Sequence, residues 1–257
     1  MHVISRFFSG LELSLVTQIV VFFATISALE LLERGTPGFP IDKKRDFSLN
    51  LAALLIVILS TGVYKNLLMT GYGAAGLQTF MAHNWFSTLP GAVKIVLAIV
   101  LYDFVLYWVH RLMHTPVLWR THSFHHTIGT IWWLAGTRAS LIHLLLFAIP
   151  QVFIGYFLFQ LSGAQLAVTL SFQIVINQWI HANLWVKLGF LEWLFITPNF
   201  HRIHHGAKGM INKNIGFVFT IWDRMFGTFV DPRTTGKDFE LFPVQIKNKL
   251  LRMMIGV

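Results

Sequence analysis

The stretch AVKIVLAIVLYDFVLYWVHRLMH, Ala92–His114, decides how this chain folds. From Ala92 to Val109 it carries only two charged residues, Lys94 and Asp103. That run is nearly the roughly 20 residues a helix needs to cross a hydrocarbon core. It then ends in His110 and His114. Residues four apart on a helix share a face, so both imidazoles can reach one metal ion. The stretch therefore reads as a membrane helix whose inner end carries half a metal site.

Four other stretches resemble its apolar part: Leu11–Leu32, Phe47–Met69, Leu141–Leu161 and Gln165–His181. The last two are joined by only Ser162, Gly163 and Ala164, a tight hairpin, and Pro150 is expected to kink its first arm. Composition agrees: 55% of the 257 residues are hydrophobic and only 12% charged, with a mean hydropathy of +0.62. A typical soluble domain is about 25% charged. The fold class expected is an all-α integral membrane protein with four to five transmembrane helices and a cytoplasmic helical lobe. The absence of cysteine excludes disulfides, thiolate metal sites and iron–sulfur clusters. No repeat or low-complexity segment is evident, and Met1–Phe8 with its single Arg does not read as a cleaved signal peptide.

The 20 Lys and Arg against 11 Asp and Glu give a net charge of +9. Arg34, Lys43, Lys44 and Arg45 follow the first span, and ten basic residues lie from Lys187 onward. The connection from Thr70 to Pro90 has none. Under the positive-inside rule the N-terminus lies outside and the C-terminus in the cytoplasm. The excess charge is thus a topology signal, and nucleic acid is not an expected partner.

Twelve histidines outnumber the carboxylates. Nine are grouped: HxxxH at His110 and His114, HxxHH at His122, His125 and His126, a second HxxHH at His201, His204 and His205, and His181. Asn177 lies one turn before His181. In each HxxHH box an i, i+3 pair can share a metal, leaving the adjacent ring to point elsewhere. Nine imidazoles exceed the needs of one ion, so two metals are expected. His2, His83 and His143 read as ordinary polar residues. Imidazole suits zinc, copper, iron and nickel, so spacing alone does not choose the metal. A zinc hydrolase needs a general base, and no HExxH glutamate accompanies any box. A non-catalytic membrane metal-binding protein is the other alternative. Asp103 and Tyr107 share a face with His110, and a carboxylate at membrane depth is a functional candidate. Asp103 is expected to support a ligand histidine, the alternative being an ion pair with Arg111 or Arg138. Asp223 reads the same way, or as an ion pair with Arg224.

HRLMH (His110–His114), THSFHH (Thr121–His126), QWIHANL (Gln178–Leu184), TPNFHRIHH (Thr197–His205) and WDRMFGT (Trp222–Thr228), in this order, resemble the fatty acid hydroxylase and sterol desaturase superfamily. The resemblance runs from about Asp103 to Phe229. It implies a membrane oxidoreductase holding two iron ions on the nine histidines, with zinc able to replace iron in isolated protein. O2 is then the co-substrate, a fatty acyl, sterol or related lipid is hydroxylated or desaturated, and electrons come from a cytochrome b5-like or ferredoxin partner. Two departures stand out: the turn after the last box reads Asn212–Gly216 without the family's aromatic, and Asn177 occupies a place where relatives carry histidine. The whole chain, 1–257, reads as a single membrane domain: N-terminal helices in 1–100, a catalytic region in 101–230 and a cytoplasmic tail in 231–257. Val244–Val257 has the pattern of an amphipathic surface helix. Lacking an ER-retrieval signal or fused cytochrome, the chain leans to a bacterial inner membrane rather than the ER.

Overall fold

In hydrocarbon every backbone N–H and C=O must be satisfied within the protein, so isolated apolar runs of this length become helices. The computed structural model describes residues 2–76, 84–206, 210–235, 241, 243–246 and 249–257, with the side chains of 2–15 and 45 excepted. His83 and the side chain of His2 lie outside the described residues. So do Lys208, Lys237 and Lys247. The helices are α1 (His2–Gly35), α2 (Lys44–Ala74), α3 (Gly91–Met113), α4 (Trp119–Ser123), α5 (Leu141–Val152), α6 (Gly163–Ile180), α7 (Pro198–His204), α8 (Ile221–Met225), α9 (Pro232–Thr235) and α10 (Leu250–Ile255). Among the described residues there is no strand, only isolated bridges at Phe195 with Phe219 and Gly206 with Leu241.

Four stretches are long and apolar enough to cross a membrane: Val16–Gly35, Asp46–Ala74, Gly91–Met113 and Leu141–Leu158. The fifth expected span is helix α6, which is not among them because Gln165, Thr169, Ser171, Gln173, Asn177 and Gln178 interrupt its apolar surface. A capping box starts it, Ser162 accepting from the Gln165 N–H while the Gln165 side chain accepts from the Ser162 N–H. Pro150 contributes no N–H to α5, and three residues later the helix widens into a π turn over Phe153–Leu158.

The buried face of α3, Ala98, Tyr102, Leu106, His110 and Met113, recurs at three- and four-residue steps. Its upper part packs with Ile154, Phe159, Leu161 and Leu166. Its lower end delivers His110 to the lobe formed by residues 114–140, 181–206 and 210–230. The lobe is tied to α1 by Glu33, whose buried carboxylate accepts from the Trp133 and Asn183 N–H groups and pairs with Lys43 at 2.7 Å. The described C-terminal residues pack against α2 and the lobe, with Leu251 left exposed. Met253 of α10 packs with Ala53 and Phe124, and the Val244 N–H donates to the His126 carbonyl.

Candidate metal centre

The ends of two long helices and two short helices position the histidines. His110 ends α3 and His114 is its C-cap. His122 is on α4, while His125 and His126 open the 3-10 turn that follows. His181 caps α6, and His201, His204 and His205 lie on α7 and its C-cap, a helix started by Pro198 at its first position.

All nine rings converge into two groups. One contains His110, His114, His122, His126 and His204, the other His125, His181, His201 and His205, and within each group the potential ligand nitrogens lie within 4.8 Å of one another. The rings of His126 and His205 touch across the two groups at 4.6 Å. The pairing within the boxes differs from the i, i+3 expectation. His122 pairs with His126, and His201 with His205, both at i, i+4, while His125 and His204 cross to the opposite group. On a helix i and i+4 differ by about 40° in azimuth and i, i+3 by about 60°, so the closer pair shares the site.

The outer nitrogens of several rings are held by main-chain carbonyls: His110 Nδ1 by Ile215 at 2.7 Å, His125 Nδ1 by Arg138 at 2.9 Å, His181 Nδ1 by Asn177 at 2.8 Å and His204 Nδ1 by Lys213 at 3.0 Å. A carbonyl only accepts, so these nitrogens carry the proton and each Nε2 presents a lone pair. Yet His125 and His181 face each other Nε2 to Nε2 at 3.4 Å, lone pair against lone pair. The Nε2 atoms of His126 and His204 are buried without any partner. Repulsive or orphaned acceptors of this kind fit a cation between them. Burial, reinforced by neighbouring rings, drives His114, His122, His125, His126, His201, His204 and His205 well below the usual histidine range. The rings are therefore neutral at pH 7, the form that binds metal.

Neither candidate carboxylate meets a histidine ring. Asp103 accepts from the Val218 and Phe219 N–H groups and from Trp222 Nε1. Asp223 accepts from the N–H groups of Ile215 and Gly216 and from the Thr228 hydroxyl. Both hold the segment that carries the Ile215 carbonyl, and so reach His110 through the main chain. Burial raises the pKa of Asp223 against these three hydrogen bonds. Tyr107 bonds the Thr228 hydroxyl at 2.8 Å and receives Arg111. The ion pairs expected as alternatives do not form: Arg224 lies over the rings of Trp193 and Phe229, and Arg138 pairs with Asp46 and Asn50. The turn after the last box is Asn214–Ile215–Gly216, with Asn214 at φ 54° and fully buried. A Cβ on Gly216 would stand 2.7 Å from an Asp223 oxygen.

The side-chain amide nitrogen of Asn177 donates to the Gly136 carbonyl at 3.0 Å. Its contribution is the backbone carbonyl that holds His181. Gly136 closes this corner so tightly that a Cβ there would lie 2.8 Å from His181 Nδ1. Sequence reasoning offered Arg138 only as an ion-pair partner of Asp103; it is fully buried, its guanidinium grips Asn50 and Thr127, and its carbonyl orients His125. That reasoning missed His143, whose Nδ1 stands 3.2 Å from His122 Nδ1. His143 is the one polar residue in Leu141–Ile149, a signal that was available. A cavity of about 250 Å³ beside His114 is lined by Arg111, Thr115, Asn212, Ile215 and Thr228.

A membrane helix that ends at two adjoining groups of imidazoles able to hold metal ions defines a class of integral membrane proteins with a candidate histidine metal site. Residues 95–228 match the model of the fatty acid hydroxylase family, and the chain belongs to that family. It is 31% identical to an ornithine lipid hydroxylase of Rhizobium tropici over 83% of this chain and 67% of that protein. To an alkylglycerol monooxygenase of Xenopus tropicalis it is 34% identical, over 58% of this chain and only 35% of that protein. A putative Delta(7)-sterol-C5(6)-desaturase of Arabidopsis thaliana is 29% identical over 61% of this chain and 54% of its own length. No solved structure matches.

Proposed function

We propose that this chain is a membrane-bound, O2-dependent lipid hydroxylase. The observation that carries this reading is the pair of buried, neutral imidazole groups at the end of α3, in a chain whose relatives bear the names of lipid hydroxylases, monooxygenases and desaturases. The five-histidine group and the four-histidine group would each hold one iron ion. Bound iron supplies O2 activation and the oxidation of an aliphatic C–H bond. The protein's own work is to hold the rings neutral and oriented, to keep water from them, and to seat the lipid so that one carbon faces the site. The cavity beside His114 leads toward the five-histidine group, with Arg111 and Thr115 placed to meet a polar headgroup.

The substrate class is a polar membrane lipid of acyl, alkyl or sterol type. Hydroxylation is favoured over desaturation because a relative named a hydroxylase matches over 83% of this chain, against 61% for one named a desaturase. Electrons come from an external acidic donor of the cytochrome b5 or ferredoxin kind, which the basic surface attracts. The histidines lie on the cytoplasmic side, and the membrane is a bacterial inner membrane. Expression under 18O2 followed by mass analysis of lipid extracts tests the reading: a lipid gaining one labelled oxygen is expected. Loss of two hydrogens would make the chain a desaturase, and release of free fatty acid would make it a hydrolase.

A further inference from the structure

His143 stands in the first turn of α5, in a run otherwise made of Leu, Ile, Phe and Ala. A polar ring in such a helix costs free energy unless it is partnered. It is only 6% exposed, and its Nδ1 lies 3.2 Å from Nδ1 of His122. The approach is built from several sides. Ser140 caps α5 by accepting from the His143 N–H, and its own hydroxyl donates to the Thr121 carbonyl at 2.6 Å, one residue before His122. Phe147, one turn further on, packs against the His143 ring at 4.5 Å. The start of α5 and the middle of α4 are thus locked at the point where the two rings meet.

His122 points its other nitrogen, Nε2, into the five-histidine group, 2.9 Å from His110 Nε2. With Nε2 kept free for a metal, the single proton of neutral His122 sits on Nδ1. Facing that proton, His143 Nδ1 is the acceptor, and His143 carries its own proton on Nε2. We propose that His143 is a positioning residue: its Nδ1 accepts the Nδ1–H of His122 and fixes that ring with Nε2 toward the metal. In this it takes the place that main-chain carbonyls fill for His110, His125, His181 and His204. Such outer partners commonly change metal affinity by about 10- to 100-fold. The inference rests on the metal reading above and concerns only the five-histidine group.

The test uses full-length purified protein loaded with Zn2+ as a redox-silent probe, with metal content and release to a chelator as readouts. Wild type is expected to hold two ions. His143→Leu, which removes the acceptor, should release one ion about 10- to 100-fold faster and leave the other unchanged. His143→Gln keeps an acceptor oxygen and should restore slow release, which a packing role alone would not predict. In a His122→Ala background, His143→Leu should add nothing. Wild-type release of both ions from His143→Leu would overturn the positioning role, as would equal losses in the Leu and Gln variants. A wild-type protein that binds no metal would overturn the metal reading itself, and the two failures are therefore distinct.

Discussion

The two histidine groups share ligand boxes yet sit in different surroundings. The four-histidine group is closed on every described side: His125, His181, His201 and His205 are all buried, and Gly136 packs directly on His181. The five-histidine group includes the part-buried His114 and adjoins the cavity lined by Arg111 and Thr115. Their supports differ as well. The carbonyls of Arg138 in the lobe and Asn177 on α6 brace the closed group, whereas the open group depends on a long segment, 213–228, tied down by Asp103 and Asp223.

The largest expected effect comes from breaking the closed group. His125→Ala should empty it, leaving at most one ion per chain by elemental analysis, and activity should fall by at least about 100-fold. Two ions retained would refute the assignment of His125.

Acidification should sharpen the contrast. Buried neutral rings have folded pKa values below 6.5, so an unfolded chain takes up protons that the folded one refuses. Their contribution to stability is complete above about pH 6.5 and is lost as pH falls below it, by roughly 1.4 kcal/mol per ring and pH unit. Thermal melting of metal-free protein between pH 8 and 5 should show this decline. In loaded protein the ion beside part-buried His114 should leave at higher pH than its neighbour.

Two further substitutions separate the groups. Asp103→Asn puts an N–H donor where Phe219 and Trp222 also donate, which should loosen the Ile215 carbonyl and weaken the open group about 10- to 100-fold with the protein still inserted. Gly136→Ala should instead disturb His181 and the closed group alone. If each variant released both ions, the two groups would not be separately supported. The smallest effect is expected from Tyr107→Phe, about 1 kcal/mol from the lost Thr228 hydrogen bond, with metal content unchanged on elemental analysis.

Much of this architecture is legible in sequence because it follows from local spacing. Apolar length gave five candidate spans, four of which are long and apolar enough to cross a membrane, and the HxxxH and HxxHH boxes together with His181 gave the nine rings that converge. What spacing does not carry is which ring crosses to which group, because that depends on how α4 and α7 face each other. The partners of the rings were also hidden. A carboxylate can be seen in a sequence, but the carbonyls of Ile215, Arg138, Asn177 and Lys213 look like any other peptide bond. His143 was visible as a polar residue in an apolar run, yet its partner lies 21 residues away on another helix.

His125–His126 and His204–His205 each send one ring to either group, so two single peptide linkages join the sites. A peptide unit is planar and fixes its two Cα atoms about 3.8 Å apart. The chain thus contains two short covalent rulers laid side by side. Movement of the membrane helices can tilt the whole assembly while the Cα anchors of each linked ring pair keep that spacing. One inserted residue in either dipeptide would change that separation while keeping all nine histidines in the chain.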